Sequence, residues 1–203
     1  MTIAIVTNWN DDGQSGFREI AELTIPNRQA YADRHGYAHH VFNFPGHYGK
    51  VSALLNCWRA DWLWWLDLDA VITNPERRLD DVIEGARGNA RPLCHAIATV
   101  DGNGFNSGSM LLRTSEEVRQ MLQRIQSRKK TYDVPPWHDQ NGFAYQLWSI
   151  ADRVEIVAKN VLNSYPADWT PGDFVLHCPG IPNEHRRKIL ESALIRLGGL
   201  PVA

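Results

Sequence analysis

An α/β fold with a largely parallel central sheet is predicted by three observations. Short strand-like segments at 3–7, 38–42 and 62–66 alternate with segments whose apolar residues recur at helical spacing. The run Trp62-Leu63-Trp64-Trp65-Leu66 is apolar on both faces of an extended chain, as a central strand covered by helices on both sides must be. Turn-forming residues follow these runs instead of interrupting them, as in Asn8-Trp9-Asn10-Asp11-Asp12-Gly13 after the first.

The elements follow in order. Residues 3–7 read as a buried strand. Helical segments are expected at 17–23 and 26–35, with Pro26 in a first turn after Thr24 and Gly36 as the stop. A second strand covers 38–42, and Val51, Leu54, Leu55 and Trp58 then repeat at helical spacing. The aromatic strand at 62–66 runs directly into Asp67-Leu68-Asp69, then Ala70-Val71-Ile72 and a turn at Asn74-Pro75. Further strands are expected at 94–98 and, after the loop Gly102-Asn103-Gly104, at 109–112. Val118, Met121, Leu122 and Ile125 form a helix stripe, opened by Thr114 with Glu117 three residues on, a capping-box pattern. Pro135-Pro136 precedes a helix over 139–150; strands at 154–157 and 174–178 and a last helix from about 183 complete the set. With no internal repeat or linker, residues 1–203 are expected to form one domain.

The bulk composition narrows the function classes. A hydrophobic fraction of 43% and a charged fraction of 22% are those of a soluble globular protein that can bury a core. A formal net charge of -2 gives no global attraction to nucleic acid or anionic membrane. Cys57, Cys94 and Cys178 are scattered and odd in number, which fits neither a disulfide framework nor a zinc ribbon and points to a reducing compartment. No apolar stretch approaches the roughly 20 residues of a membrane helix, and 3–6 is too short for a signal sequence, so a cytoplasmic location is expected.

The segment richest in chemistry is Asp67-Leu68-Asp69. Strand ends in open α/β sheets are where ligands bind. Residues two apart in an extended segment point to one side, so Asp67 and Asp69 project together while Leu68 turns to the core. Two carboxylates held close repel, and a divalent cation between them removes the repulsion. A bare pair of this kind is also met as solvated loop acids; the buried aromatic strand before it favours the functional reading. The motif resembles locally that of haloacid-dehalogenase-type phosphatases, where the first Asp is the nucleophile. Here Ala70-Val71-Ile72 follows in place of that family's turn, and Gly172-Asp173 lacks an acidic partner, so the phosphatase reading ranks below the metal-site reading.

Other segments extend the pair: Asn27-Arg28-Tyr31-Ala32 with His35-Gly36-Tyr37, then Lys50, Phe105-Asn106-Ser107-Gly108-Ser109, Asp139-Gln140, Asn163-Ser164-Tyr165 and Gly172-Asp173-Phe174-Val175-Leu176-His177. In this order they resemble glycosyltransferase family 34, which includes fungal galactosyl- and mannosyltransferases and plant xyloglucan xylosyltransferases. The resemblance runs from about residue 3 to about 180.

That resemblance implies a GT-A fold, a nucleotide-sugar donor, Mn2+ or Mg2+, a hydroxyl acceptor on a glycan or glycolipid, and transfer with retention. It implies Asp67, Asp69 and His177 as metal ligands, with Asp67 and Leu68 also beside the donor, and an imidazole nitrogen tilts the choice to Mn2+. Asn106, Ser107 and Gly108 would line the sugar side, with Gly108 permitting close backbone approach. Asp139 and Gln140 would stand beside the anomeric carbon. Thr7, Asn8 and Trp9, ending the first strand, would meet the nucleotide, and Lys50 its phosphates. Each residue also has a plainer role open to it: a strand-end histidine, a loop turn, polar residues in a first helical turn, a solvated lysine. A nucleotide-sugar-binding protein without turnover is the non-enzymatic alternative. The basic residues Arg124, Arg128, Lys129, Lys130, Arg186, Arg187 and Lys188 offer a face for a phosphorylated lipid, an anionic glycan or DNA, although such runs commonly only complement a helix end. The eukaryotic members carry an amino-terminal membrane anchor and stem, and neither is expected within residues 1–203.

Overall fold

The computed structural model describes residues 1–9, 16–88 and 94–198. In chain order the elements are β1 (Ile3–Asn8), α1 (Phe17–His35), β2 (Ala38–Phe42), α2 (Gly49–Asn56), β3 (Trp62–Leu66), β4 (Ala70–Ile72), α3 (Leu79–Gly88) and β5 (Ala96–Asp101). They continue with β6 (Gly104–Arg113), α4 (Glu116–Ser127), α5 (Lys129–Tyr132), α6 (Asp139–Trp148), β7 (Val154–Ile156), α7 (Lys159–Leu162), β8 (Val175–His177) and α8 (Asn183–Arg196). The turn expected at 10–13 lies outside the described residues.

Six strands form the main sheet in the order β2-β1-β3-β6-β5-β7. All run the same way except β6, which is antiparallel to both its neighbours. The predicted α/β class with a mostly parallel sheet is borne out. The aromatic strand β3 is buried along its whole length because its two faces enter different cores. Leu63 and Trp65 pack with Val51, Leu54, Met121, Leu122 and Phe143 from α2, α4 and α6. Trp62, Trp64 and Leu66 face the other way, toward Tyr31, Leu79, Ile83 and Phe174. A two-stranded antiparallel sheet, β4 with β8, caps that second side and pairs Ala70 with His177.

Three local expectations are corrected. The segments 17–23 and 26–35 form one helix, α1, with Pro26 inside it. Ile20, Ala21 and Thr24 before the proline and Arg28, Tyr31 and Ala32 after it are all buried, and this packing outweighs the roughly 3 kcal/mol that an interior proline costs. Gly36 ends the helix as expected, with φ 70 in the left-handed region. The cap of α4 is Ser115, whose hydroxyl accepts from the Val118 N–H; Thr114 Oγ1 instead donates to the Ala60 carbonyl at 2.6 Å. The strand expected at 109–112 is longer, starting at Gly104, so that 102–103 is a tight turn between β5 and β6. Among the described residues no helix is long and apolar enough to cross a membrane.

Phe174 holds the small sheet to the large one. It is fully buried, stacks on Trp64 with centroids 5.3 Å apart, and meets Tyr31 at 5.7 Å. Replacing it with alanine should cost about 3–5 kcal/mol of unfolding free energy, measured by urea denaturation, because both sheets line the cavity left behind.

Candidate active site

The direction of the strands decides what meets at this edge. β1 and β3 are parallel, so Asn8 and Asp67 leave the sheet on the same side. β6 comes back antiparallel and pairs Ser109 with Leu66, which sets Asn106, Ser107 and Gly108 alongside Asp67, whose N–H donates to the Gly108 carbonyl at 2.7 Å. The chain turns over at Leu68, buried in a third apolar cluster with Ile20, Val71 and Leu190. β8 then returns a residue far along the chain: Cys178 N–H donates to the Asp69 carbonyl at 3.0 Å, and His177 lands against both acids.

Each acid commits one oxygen to a fixed donor and turns the other toward the imidazole. Asp67 Oδ1 accepts from Trp65 Nε1 at 2.6 Å and pairs with Lys50 Nζ at 3.0 Å, and its Oδ2 lies 4.0 Å from His177 Nε2. Asp69 Oδ2 pairs with Arg186 Nε at 3.3 Å and its Oδ1 lies 3.2 Å from His177 Nε2. One ligand atom from each of the three residues lies within 4.8 Å of the others. Burial alone would raise the Asp69 carboxyl, but His177 and Arg186 hold it below the usual carboxylate range.

A chain of amides fixes the imidazole's orientation. Asn106 Oδ1 accepts the Gly108 N–H at 2.8 Å, so the group facing it at 2.8 Å must be the Asn163 Nδ2 donor. Asn163 Oδ1 therefore faces His177 Nδ1, at 2.8 Å, and accepts its proton. This leaves the Nε2 side for the acids. An imidazole lone pair against two carboxylate oxygens repels; a proton or a cation among them turns the contact favourable. Two hard oxygens and one imidazole nitrogen are a donor set that a Mn2+-like divalent ion accepts, so the residues fit such an ion. The far end of the network is Asp101, which accepts from the Tyr165 hydroxyl; burial followed by that contact pushes the phenol pKa up.

Beside the cage stands a second cluster. Lys50 is buried, with its ammonium 3.0 Å from Asp67 and 3.1 Å from Asp139, and it donates to Ser107 Oγ at 3.0 Å. It is not a solvated lysine. Burial works against its charge, yet the two acids more than compensate and raise its pKa. Gln140 Oε1 accepts from the Ser107 N–H at 3.1 Å, so Asp139 and Gln140 both reach the β6 side of the site from the first turn of α6. Just before it, His138 (φ 44) stacks on His47 with centroids 3.8 Å apart.

The structure thus brings together Asp67, Asp69, His177, Lys50, Asp139, Gln140, Asn106, Ser107 and Gly108. The remaining four predicted residues, Leu68 in the third apolar cluster among them, have internal partners. Thr7 is wholly buried, accepting from Arg28 at 2.8 Å and meeting His39 at 3.1 Å. Asn8 exchanges two hydrogen bonds with the Phe44 backbone, at 3.0 and 2.8 Å. Trp9 packs half-buried against the Leu68 cluster.

Residue-type reasoning missed three supports. Arg28 is fully buried beneath the acidic turn and donates to the carbonyls of Leu66 at 3.0 Å, Ala70 at 3.1 Å and Asp67. Burial brings this guanidinium down to about 9, with Asp67 and Asp69 opposing the fall. Asn163 was legible only as part of a motif. Arg186 was assigned to a basic face, and that assignment is corrected: it is buried against Asp69 and Phe17, while Arg187 pairs with Glu191 and Glu19 and Lys188 with Glu184. Arg124 donates to Gln146, and Arg128, Lys129 and Lys130 are exposed.

Comparison with solved structures defines the class of fold. A glycosyltransferase involved in the glycosylation of the major capsid of PBCV-1 superposes with a TM-score of 0.75 at 15% identity, covering 95% of this chain and 100% of that one. The galactosyltransferase LgtC superposes with a TM-score of 0.58 at 15% identity, covering 95% and 96%. The fold is that of the GT-A glycosyltransferases. Residues 1–86 match the profile of the galactosyl transferase GMA12/MNN10 family. An alpha-1,2-galactosyltransferase of Schizosaccharomyces pombe is 23% identical over 89% of this chain and 61% of its own length. A probable alpha-1,6-mannosyltransferase of Saccharomyces cerevisiae, MNN10, is 29% identical over 51% of this chain and 35% of its own. These matches bear out the resemblance to glycosyltransferase family 34. The chain spans about six-tenths of the length of the Schizosaccharomyces pombe relative and about a third of MNN10.

Gly108 is where the site has no room. A Cβ there would lie 2.2 Å from His177 Cε1 and 2.7 Å from its Nδ1, against a ring pinned by Asn163 and by β8. Gly108→Ala should therefore lower unfolding free energy by about 1–3 kcal/mol and displace the His177 ring resonances in an NMR spectrum. Gly102→Ala, whose Cβ would meet nothing within 4 Å, is the matched control and should leave both unchanged.

Proposed function

We propose that the chain is a metal-dependent glycosyltransferase that moves a hexose or pentose from a nucleotide-diphosphate sugar, UDP-linked, to a hydroxyl of a glycan or glycolipid with retention, and that residues 1–203 act as one domain. The observation that carries the reading is the convergence of Asp67, Asp69 and His177 Nε2 at the open edge of a GT-A sheet. Its sequence relatives, named as galactosyl- and mannosyltransferases, support it.

Breaking the anomeric bond puts negative charge on the departing diphosphate and positive charge on the sugar. Asp67, Asp69 and His177 would hold a divalent ion, Mn2+ by preference, which when bound would supply Lewis-acid neutralisation of the leaving group. The protein's own residues do the rest. Lys50, kept cationic between Asp67 and Asp139, adds a fixed positive charge at the phosphates. Asn106, Ser107 and Gly108 wall the sugar, and Asp139 and Gln140 offer negative charge and an amide oxygen to its cationic face. Thr7 and Asn8 shape the backbone at the end of β1, and Trp9 gives the base a ring to stack on. The family resemblance adds that the acceptor hydroxyl attacks from the face that the diphosphate leaves, with a phosphate oxygen taking its proton.

The phosphatase alternative gains no support from the fold or the relatives. The nucleic-acid acceptor loses half of its motivation, since Arg186, Arg187 and Lys188 are paired with acids.

Purified protein should hydrolyse a UDP-sugar slowly in Mn2+ and stop in EDTA. Asp69→Asn, which keeps the shape beside Arg186, should lower that turnover by at least about a hundredfold and abolish the rise in melting temperature that Mn2+ with UDP gives the wild type. Equal turnover with and without EDTA would sink the reading.

A further inference from the structure

His138 breaks two local rules at once. Its backbone lies at φ 44 and ψ -116, the one positive φ of a non-glycine residue among the described residues. This is the corner position of a type II′ turn, where a Cβ is crowded and glycine is the usual occupant. The Gln140 N–H closes that turn by donating to the Trp137 carbonyl at 2.9 Å. His138 also stands where Ser, Thr, Asp or Asn would cap α6, and its side chain makes no capping hydrogen bond. The ring is held by other means. Its Nδ1–H donates to Asp133 Oδ1 at 2.7 Å, and it lies face to face on His47, with centroids 3.8 Å apart and planes 6° from parallel. The His138 N–H donates to the Val134 carbonyl at 3.0 Å, and Asn141 Nδ2 donates to the same oxygen at 2.9 Å. The start of α6 is thereby tied to the segment before it and, through His47, to the loop between β2 and α2.

The two residues after this corner are Asp139, 3.1 Å from Lys50 Nζ, and Gln140, whose Oε1 accepts from the Ser107 N–H at 3.1 Å. The φ and ψ of residue 138 set the direction in which the chain leaves it, so a relaxed corner would swing both side chains away from β6. We propose that His138 is a positioning residue: its ring contacts with Asp133 and His47 hold a backbone conformation of glycine type, and that conformation aims Asp139 and Gln140 at the site. The proposal rests on the glycosyltransferase reading for the use made of those two residues, and on the structure alone for their placement. Backbone strain of this kind persists only where surrounding contacts over-determine it. Here Asp133 and His47 fix the residue from its ring, while Lys50 and Ser107 fix the two residues that follow.

The test sets His138→Ala against His138→Gly in the whole chain. Alanine keeps the Cβ and its steric cost but loses the ring contacts that offset it; glycine loses both. In UDP-sugar hydrolysis with Mn2+, kcat of His138→Ala should fall at least about tenfold below that of His138→Gly, with KM for the donor alike in the two. The Ser107 amide resonance, which reports the Gln140 hydrogen bond without any turnover, should shift in His138→Ala and stay near its wild-type position in His138→Gly. His138→Gly should also melt above His138→Ala, the reverse of the order that chain entropy gives at an ordinary position. His47→Ala leaves residue 138 intact and decides the matter if His138→Ala does not fold. It should shift the Ser107 resonance in the wild type and leave it in place in a His138→Gly background. Equal kcat, equal Ser107 shifts and equal melting of the glycine and alanine variants overturn the proposal. So does a loss of turnover in both with the Ser107 resonance unmoved, which would assign the imidazole to the chemistry. Absence of donor hydrolysis in the wild type would instead refute the transferase reading, and the Ser107 resonance with the melting order would still decide whether His138 places Gln140.

Discussion

Two carboxylates with the same charge, two residues apart at the edge of a hydrophobic sheet, are the constraint around which this molecule is arranged. Left alone they would repel and seek water. The fold answers with four separate elements, one group from each: Arg28 of α1 under the turn, Lys50 of α2 beside Asp67, Arg186 of α8 beside Asp69, and the His177 ring of β8 across both. None of the four comes from the strand that bears the acids. The acids are thus as much a reason for the tertiary structure as a product of it, because each cation and its helix are drawn to one point.

The reversal of β6 serves the same end. In a wholly parallel sheet the strand next to β3 would bring its carboxyl-terminal end to Asp67; running backwards, β6 brings Asn106, Ser107 and Gly108 there near its start. It also divides its side chains between two tasks. Asn106 turns toward Asn163 and fixes the imidazole, while Ser107 turns toward Lys50 and Gln140. One extended segment therefore supports the cage on one side and the Lys50–Gln140 cluster on the other.

What could be read from the sequence followed from local physics. β3 was legible because apolar side chains on both faces of an extended run admit one setting, a covered central strand. The acids were legible because their spacing of two sets them on one side, and His177 because the segment around it matches a family motif. The supporting roles of Arg28, Asn163 and Arg186 were not legible, since each rests on a contact made across a long stretch of chain: with the Asp67 turn, with His177, and with Asp69. Arg186 in particular looked like its neighbours Arg187 and Lys188, and only the packing of α8 on α1 separates a buried counter-ion from two surface charges. Pro26 misled for the opposite reason, since a strong local rule yielded to burial on both sides of it.

The Asp69–Arg186 pair makes α8 more than an outer layer. A helix in this position, near the carboxyl end and packed on α1, resembles the kind of segment trimmed to obtain a minimal core. Here it carries the guanidinium that lies 3.3 Å from Asp69, so cutting it away would remove that counter-ion from a buried carboxylate and leave His177 to face the acid alone. The charge balance at the acidic turn is therefore completed only by a residue as far along the chain as 186.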